Sequence, residues 1–348
     1  MVVAATSKGR SLVKARLYTR IGEGRVRCDL CARRCVIEEG ARGWCRVRRN
    51  VAGDLYTSTY SNLSSVESRP IEIKPFFHYW PGSTALTFST WSCNLDCPWC
   101  QNYHISKRIP DSPVITPTPS ELVSMAVKYR DQGLCASFQE PTLLAEYSAE
   151  AFSIAKSKGL YCCFVSNGYM TREALRMLVD SGLDGINIDL KGPPRVYEQL
   201  LGGAKARPVL RSMEEAVRLG IHLEVVCLIV TGVNDDQESI EWLIQSHLRY
   251  AGESVPLHFT RYHPAYRFRS RPPDVKVLER AVELAREKGV LFPYVGNMPG
   301  HRFENTYCPW CGRLVVVRSG FRLVKMYLDR RFRCPGCGET LPFSGYQG

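Results

Sequence analysis

The sequence predicts an α/β fold built on a parallel sheet, with a small cysteine-rich module at each end of the chain. Short runs with high β-propensity alternate with helical patterns between residues 84 and 295, and cysteines at metal-ligand spacing flank that region. The 348 residues also suffice for a large central domain, because one domain typically takes about 100 to 200 residues. We therefore predict an amino-terminal module over residues 1–70, a central domain over 71–300 and a carboxyl-terminal module over 301–348.

The predicted strands are rich in β-branched and aromatic residues. They cover Thr84–Phe88, Leu134–Phe138, Tyr161–Val165, Gly185–Asp189, Leu223–Val230, Val255–Phe259 and Val290–Val295. Helical patterns lie between the last six, over Leu143–Lys158, Thr171–Ser181, Pro194–Leu201, Ser212–Leu219, Asp235–Arg249 and Asp274–Lys288. After the proline-rich stretch 109–119, Ser120 is predicted to cap a further helix. This alternation is typical of right-handed βαβ units, which form a parallel sheet that is either open or closed into a barrel.

Polar and metal-binding residues follow the predicted strands at the points where they end. In chain order these are Cys93, Cys97 and Cys100, Gln139–Pro141, Ser166–Gly168, Asp189–Lys191, Thr231–Asp235, and Arg261 with His263. Ligand chemistry in such a barrel collects at the carboxyl ends of the strands. We expect these residues to line one rim.

The loop from Cys93 to Cys100 has the spacing C-x3-C-x2-C. Three thiolates can bind three irons of a cubane cluster and leave the fourth iron without a protein ligand. Catalytic metal sites keep a comparable open position. A structural zinc site with His104 as its fourth ligand is the alternative, which the polar residues at the neighbouring strand ends disfavour.

This loop, with an aromatic residue before its third cysteine, resembles the signature of radical S-adenosylmethionine (SAM) enzymes. More narrowly, the chain is similar to relatives of pyruvate formate-lyase activating enzyme and, among them, to AmmeMemoRadiSam-system radical SAM proteins. The resemblance extends from about Cys28 to Pro342. The segments that carry it are Cys28–Cys31, Pro81–Ser83, Cys93–Asn102, Glu140–Thr142, Asn167–Met170, Ile188–Gly192, His258–Pro264, Gly296–Asn297 and Tyr307–Gly312.

The resemblance implies a partial (β/α)6 barrel in which Cys93, Cys97 and Cys100 hold a catalytic [4Fe–4S] cluster. The open iron would bind the amine and carboxylate of SAM, and reductive cleavage would release a 5′-deoxyadenosyl radical. The electron would come from a donor such as ferredoxin or flavodoxin. The resemblance places these residues at the SAM site: Glu140, Ser166, Asn167, Asp189, Lys191 and His263. Within this set, Glu140 would accept from the SAM amine and Lys191 would pair with its carboxylate.

Three features depart from the family's pattern. Where related enzymes often have two glycines, this chain has Ser137-Phe138-Gln139, so SAM contact there should rely more on side chains. Val165 replaces an acidic residue, which argues against the monovalent cation that some activating enzymes use. A ferredoxin-like insert after the cluster loop is also missing, so further metals are expected at the termini.

Both termini contain four cysteines at metal-ligand spacing. Cys308, Cys311, Cys334 and Cys337 form two C-P-x-C-G knuckles separated by the β-rich segment Leu314–Phe332, the pattern of a zinc ribbon. Cys28, Cys31, Cys35 and Cys45 also indicate a metal site, but their spacing is compatible with zinc and with an auxiliary [4Fe–4S] cluster. The remaining cysteines are predicted to be small buried residues in strands: Cys135, Cys162, Cys163 and Cys227.

The net charge of +12 is confined to the two ends of the chain. Residues 1–51 contain 13 Lys and Arg against 4 acidic residues, residues 300–348 contain 8 against 3, and the middle contains 25 against 27. Metal–thiolate sites with a charge of about −2 each would neutralise only part of this excess. The remainder favours an acidic partner, either a protein or RNA.

The sequence has no apolar run long enough for a signal peptide or a membrane span. Fifteen cysteines in such a chain indicate metal chemistry in a reducing compartment rather than disulfides. We therefore expect a cytoplasmic protein without a membrane partner.

Three functions are compatible with these features. The first is a radical SAM enzyme that abstracts hydrogen from a macromolecule, such as a glycine of a protein, as activating enzymes do. The second is radical SAM modification of RNA, suggested by the basic, cysteine-rich termini. The third is a non-enzymatic iron–sulfur or zinc protein, which would explain the terminal cysteines but not the open loop, Glu140 or Asp189.

Overall fold

The computed structural model describes residues 3–5 and 11–345. The chain divides into two compact units, the first formed by residues 1–68 and 85–184 and the second by residues 69–84 and 185–348. No helix among the described residues combines the length and apolar character that a membrane span requires.

Two small antiparallel sheets form the amino-terminal part of the first unit. One has the order β1-β2-β7-β6, with strands Val3–Ala5, Ser11–Lys14, Asp54–Thr57 and Arg48–Val51. The other contains β3 (Tyr18–Arg20), β4 (Val26–Cys28) and β5 (Val36–Ile37). A buried ion pair between Arg48 and Glu146 joins this part to the helical layer, with guanidinium-to-carboxylate distances of 2.8 and 2.7 Å.

The same unit contains the first strands of the parallel sheet. Its remaining elements are β9 (Thr84–Ser89), α1 (Tyr103–Ser106), α2 (Pro119–Tyr129), β10 (Gly133–Ala136), α3 (Ala145–Ser157), β11 (Tyr161–Ser166) and α4 (Arg172–Asp180), preceded by β8 (Ser65–Pro70), whose last two residues are assigned to the second unit. Cys135 of β10 pairs with Thr87 of β9 on one side and with Cys163 of β11 on the other. Strands β9, β10 and β11 are buried almost throughout, as parallel strands covered by helices must be, whereas β8 is largely half-buried.

The N-terminal cap of α2 differs from the predicted one. Thr118, and not Ser120, caps this helix, because its hydroxyl accepts from the Glu121 backbone N–H while the Glu121 side chain accepts from Thr118. Pro119 occupies the first helical position, where its missing N–H costs nothing. A reciprocal capping box therefore starts the helix two residues earlier than predicted.

The second unit continues the alternation of parallel strands and helices. Its elements are β12 (Gly185–Asp189), α5 (Pro194–Leu200), α6 (Ala206–Arg218), β13 (His222–Ile229), α7 (Gln237–Tyr250), β14 (Leu257–Arg261), α8 (Val275–Glu287) and β15 (Pro293–Gly296). Strands β12 to β15 pair in sequence order, all parallel. The predicted α/β class is therefore confirmed. Helix α6 begins at Ala206 rather than Ser212, because Pro208 lies in its first turn, where proline is tolerated.

The carboxyl-terminal segment forms a three-stranded antiparallel sheet within the second unit. Its strands are β16 (Thr306–Tyr307), β17 (Leu314–Arg318) and β18 (Leu323–Met326). Buried side chains of this sheet share one apolar core with Phe77, Phe292 and Tyr294 of the same unit. Short 3-10 helices occur at Ile71–Ile73, Pro141–Leu144 and Arg302–Glu304.

Candidate active site

The cysteine loop follows β9 and is held by hydrogen bonds at both ends. The Leu95 backbone N–H points to Sγ of Cys93 at 3.4 Å, and Sγ of Cys100 lies 3.1 Å from the Ser106 hydroxyl. Nζ of Lys107 donates to the Leu95 carbonyl at 2.8 Å, and this hydrogen bond holds the middle of the loop in place. The loop therefore presents its sulfur atoms in a defined conformation.

The three loop sulfurs are not arranged for a single metal ion. Among the described residues, no group of three or more Cys, His, Asp or Glu ligand atoms within 4.8 Å of one another includes a cysteine of this loop. His104 lies exposed on α1 and completes no such group. The described residues therefore give no support to a mononuclear zinc site with His104, and the [4Fe–4S] cluster at the three cysteines stays a prediction.

Asn167 and Asn94 connect the cysteine loop to the turn after β11. Nδ2 of Asn167 donates to Oδ1 of Asn94 at 2.8 Å and lies 3.7 Å from Sγ of Cys93. Oδ1 of Asn167 accepts from the Tyr169 backbone N–H at 2.9 Å, so the amide is fixed in one orientation. The structure thus brings Asn167, a residue placed at the SAM site by resemblance, close to Cys93, the first cysteine of the loop.

Glu140 organises the neighbouring turns from a buried position. Its Oε1 accepts from the Thr142 backbone N–H at 3.0 Å, from the Thr142 hydroxyl and from the Ser166 hydroxyl at 2.8 Å. Its Oε2 accepts from the Asn167 backbone N–H at 2.9 Å. Burial raises the pKa of this carboxyl, although these hydrogen bonds act in the opposite direction. Glu140, Ser166 and Asn167 therefore form one hydrogen-bonded set, and the SAM-amine contact of Glu140 stays a prediction.

The side chain of Gln139, next to Glu140, is buried without polar partners among the described residues. Both its amide atoms, Nε2 and Oε1, are buried and have no hydrogen bond, and the residue is 7% exposed. The preceding Phe138 has a left-handed backbone with a φ of 72°, which is strained for a residue with a side chain. An unsatisfied buried amide is costly, and a ligand with both a donor and an acceptor would remove that cost. These residues fit a polar ligand such as SAM.

The other predicted SAM residues lie in the second unit. Asp189 ends β12, and its Oδ2 pairs with Nζ of Lys191 at 3.0 Å. The Lys191 carbonyl accepts from Asn234 at 2.9 Å, and its backbone N–H donates to the Tyr197 hydroxyl at 3.0 Å. His263 is exposed two residues beyond the end of β14. Their contacts with SAM stay predictions.

The carboxyl-terminal cysteines form a compact four-sulfur group. Their ligand atoms all lie within 4.8 Å of one another, and Cys308–Cys337 and Cys311–Cys334 each have sulfur atoms 3.6 Å apart. Four thiolates around one tetrahedral ion have this spacing. The predicted metal-binding geometry of the ribbon is therefore present. The four cysteines predicted to be buried in strands, Cys135, Cys162, Cys163 and Cys227, are fully buried.

Comparison with known proteins identifies the family. The model of the radical SAM superfamily matches residues 89–243. An uncharacterized protein of Methanocaldococcus jannaschii is 38% identical over 331 residues, which cover 94% of this chain and 98% of that protein. The chain belongs to the radical SAM superfamily. Its predicted membership is confirmed, and because members of this superfamily are enzymes, the non-enzymatic alternative is set aside.

Two further matches are more distant. A GTP 3′,8-cyclase of Aeromonas hydrophila is 28% identical over 197 residues, which cover 52% of this radical SAM chain and 58% of the cyclase. A radical SAM methyltransferase from Sphaerobacter thermophilus has a TM-score of 0.48 and 14% identity, over 87% of this chain and 81% of that one.

The sequence did not assign roles to several residues of the site. Asn94 lies inside the cysteine motif and Thr142 inside the Glu140 segment, yet neither was given a function. Gln139 was predicted to line the rim and noted as part of the segment that replaces the glycines, but it was given no contact with SAM. That departure was the available signal, because a polar residue beside a missing glycine indicates that a side chain replaces backbone contact with the ligand.

Proposed function

We propose that this radical SAM enzyme binds a [4Fe–4S] cluster at Cys93, Cys97 and Cys100 and abstracts hydrogen from a macromolecular substrate. A glycine of a protein is the preferred target, as in the activating enzymes that the chain resembles. The observation that carries the proposal is the hydrogen-bonded connection from Cys93 through Asn167 to Glu140. It joins three loops that follow consecutive strands of the parallel sheet.

When bound, the reduced cluster supplies the electron that breaks the sulfonium–C5′ bond of SAM, giving methionine and a 5′-deoxyadenosyl radical. The chain's own residues position and enclose this reaction. Asn167 fixes the Cys93 loop, while Glu140 acts as a positioning residue through Ser166 and the Asn167 backbone. Buried Trp99, next to Cys100, excludes water from one side of the loop.

Gln139 supplies the polar contact to SAM in this proposal. Its carboxamide can donate to a carboxylate or ribose oxygen and accept from an amine or hydroxyl. The proposed contacts of Asp189, Lys191 and His263 with SAM rest on the family resemblance. A ferredoxin or flavodoxin in the cytoplasm would provide the electron.

RNA is the second candidate substrate, and the surface of the ribbon favours it. Trp310 and Tyr327 are exposed by 50% and 42%, and the Lys325 ammonium lies 4.9 Å from the centre of the Tyr327 ring. Exposed aromatic rings among basic side chains are suited to stacking bases beside a phosphate backbone. The same surface would also bind an acidic protein, so the substrate must be identified by experiment.

Production of 5′-deoxyadenosine tests the catalytic part of the proposal. The anaerobically reconstituted, dithionite-reduced protein should cleave SAM even without substrate. Cys97→Ala should abolish this activity, whereas Cys162→Ala, a buried cysteine of β11, should retain it. Undiminished cleavage by the Cys97 variant would contradict the assignment.

The substrate class can be decided by what the protein retains on anaerobic purification. Mass spectrometry after nuclease treatment should identify a protein partner if the glycine hypothesis holds. A deuterated glycine in that partner should transfer deuterium to 5′-deoxyadenosine. Nuclease-sensitive RNA as the retained molecule would instead favour the second candidate.

A further inference from the structure

We propose that Cys28, Cys31, Cys35 and Cys45 bind a second iron–sulfur cluster, rather than zinc, beside the catalytic cysteine loop. All four residues line one cavity of the first unit. The sequence alone left the metal open, because both zinc and iron–sulfur clusters use four cysteines at such spacings.

The sulfur of Cys35 accepts a backbone hydrogen bond, because the Trp44 N–H points to its Sγ at 3.4 Å. The same kind of contact occurs in the other two cysteine groups, where the backbone N–H of Leu95 points to Sγ of Cys93 and that of Gly336 to Sγ of Cys334, both at 3.4 Å. Backbone N–H groups aimed at sulfur stabilise the thiolate, which is the form that binds metal.

The distances between sulfurs distinguish this site from the ribbon. Among Cys28, Cys31, Cys35 and Cys45, all of them described, no three sulfur atoms lie within 4.8 Å of one another, whereas the four ribbon sulfurs do. A single tetrahedral ion draws its thiolates together, because each bond is about 2.3 Å long. Thiolates of a cluster bind different irons and remain further apart. The amino-terminal set therefore differs from the ribbon and lacks the close sulfur spacing of a single tetrahedral ion.

A buried cation on the wall of the cavity has an unused donor. Arg48 pairs through its two terminal nitrogens with Glu146, but its Nε is buried without a partner. Arg48 lines the same cavity as the four cysteines. An anionic cluster sulfur would satisfy this N–H, and hydrogen bonds to cluster sulfurs tune their reduction potential.

The site contacts the loop of the catalytic cysteines directly. Nε of Arg33 donates to the Asn94 carbonyl at 3.0 Å, and the Ser92 hydroxyl donates to the Cys45 carbonyl at 2.6 Å. Asn94 also lines the cavity of the four cysteines, and its Oδ1 accepts from Asn167 at 2.8 Å. Asn94 therefore borders the second site while it belongs to the loop of Cys93, and occupancy of the second site would help to hold the catalytic loop.

Metal analysis of the reconstituted full chain tests this proposal independently of SAM cleavage. Two [4Fe–4S] clusters would give about eight irons and one zinc per chain, whereas zinc at the amino terminus would give about four irons and two zincs. Iron and acid-labile sulfide should also persist in the Cys93→Ala/Cys97→Ala/Cys100→Ala variant, with an EPR signal after reduction. Adding Cys28→Ala and Cys31→Ala should remove that iron and signal.

Two control variants keep the result interpretable. Cys308→Ser should lower zinc by about one equivalent without changing iron. Cys135→Ala/Cys162→Ala, which removes two buried strand cysteines, should change neither metal. The proposal is overturned if the intact chain holds two zincs and about four irons, or if the triple variant retains no iron while its ribbon zinc shows that it is folded.

Discussion

The Asn167 amide donates a 2.8 Å hydrogen bond to Oδ1 of Asn94, the residue that follows the first cluster cysteine. This contact links the turn after β11 to the loop after β9. The Asn167 backbone is in turn held by Glu140 at 2.9 Å. One chain of hydrogen bonds therefore determines where the Cys93 sulfur lies relative to the buried carboxylate.

Replacing Asn167 with Ala should lower SAM cleavage more than it lowers cluster content. The loss of a buried hydrogen-bond partner costs roughly 1 to 3 kcal/mol, so a rate decrease of about tenfold or more is expected if the orientation of Cys93 matters. Rates of 5′-deoxyadenosine formation, divided by bound iron, provide the measurement. Asn187→Ala is the control, because Asn187 is also buried but donates to the Pro75 carbonyl in the second unit. A similar loss of rate per iron in both variants would show that Asn167 has only a structural role.

Replacing Gln139 with Leu should separate stability from SAM binding. Removing two unsatisfied buried amide atoms should raise the free energy of unfolding of the SAM-free protein, by about 1 to 3 kcal/mol. The same change should weaken SAM binding by about tenfold or more, because the proposed polar contact is lost. Urea unfolding and equilibrium binding of SAM to the reconstituted protein measure the two effects. Exposed Gln245→Leu should change neither quantity, and unchanged SAM affinity of the Gln139 variant would contradict its assigned contact.

Glu224 should make the second unit sensitive to acid. Burial alone would raise the pKa of its carboxyl, but hydrogen bonds with His222 and His258 lower it well below the ordinary value of 4.5. The backbone N–H groups of Phe77 and His78 also donate to it, at 2.9 and 2.8 Å. Because the folded pKa is depressed, its stabilising contribution is complete above about pH 4.5 and is lost as the pH falls toward the folded pKa.

Glu224→Gln tests this linkage through the free energy of unfolding. The variant should be about 3 to 5 kcal/mol less stable at pH 7, because buried His258, the partly buried His222 and the backbone amides lose their anionic acceptor. Its stability should also fall less steeply than that of the wild type between pH 5 and 3. Glu279→Gln serves as control, since Glu279 pairs with His301 at a partly exposed site where such pairs contribute little. Parallel pH profiles for wild type and the Glu224 variant would exclude the linkage.

The sequence predicted the parallel strands well because each is a short apolar run with clear turn residues at its ends. The predicted and observed bounds of β12 are identical, whereas the predicted second strand extends two residues too far. That strand ends early because Phe138 adopts a left-handed φ, which its propensity for strands does not reveal.

Long-range contacts explain the other differences. The local sequence does not distinguish Arg318 from the other arginines of the ribbon. In the structure, however, Arg318 is only 3% exposed, and it donates to the Phe77 carbonyl at 2.7 Å. Nothing in local spacing indicates that partner, which lies 241 residues away. For the same reason, the contact between Ser92 and Cys45 could not be inferred, although both residues flank or belong to recognised cysteine motifs.

The buried position of Arg318 determines how the charge on the ribbon must be tested. Reversing its charge would place a carboxylate in the core, and Arg333 is already paired with Asp329 at 2.8 Å. Deleting residues from Asn305 onward is equally unsuitable, because Val315, Val316 and Phe343 belong to a core shared with Phe77. The informative variant replaces with Glu four exposed basic residues that lie outside these contacts: Arg322, Lys325, Arg330 and Arg331.

If RNA is the partner and each of these four cations contacts one phosphate, reversal to Glu should weaken binding and flatten its dependence on salt. For single strands, four phosphate contacts give a slope near −3 when log affinity is plotted against log salt concentration. This slope corresponds to about a fiftyfold loss of wild-type affinity between 50 and 200 mM salt. In the variant, the slope of log affinity against log salt concentration should become less steep by about 3, as measured with a single-stranded RNA oligonucleotide by fluorescence anisotropy.

SAM cleavage without substrate should stay at the wild-type rate, because none of the four residues belongs to the proposed site. Bound zinc and the unfolding transition should also be unchanged, which would show that the ribbon remains folded. RNA affinity and salt slope equal to those of the wild type in that folded variant would contradict a role for these charges in binding and leave them as a solvated surface.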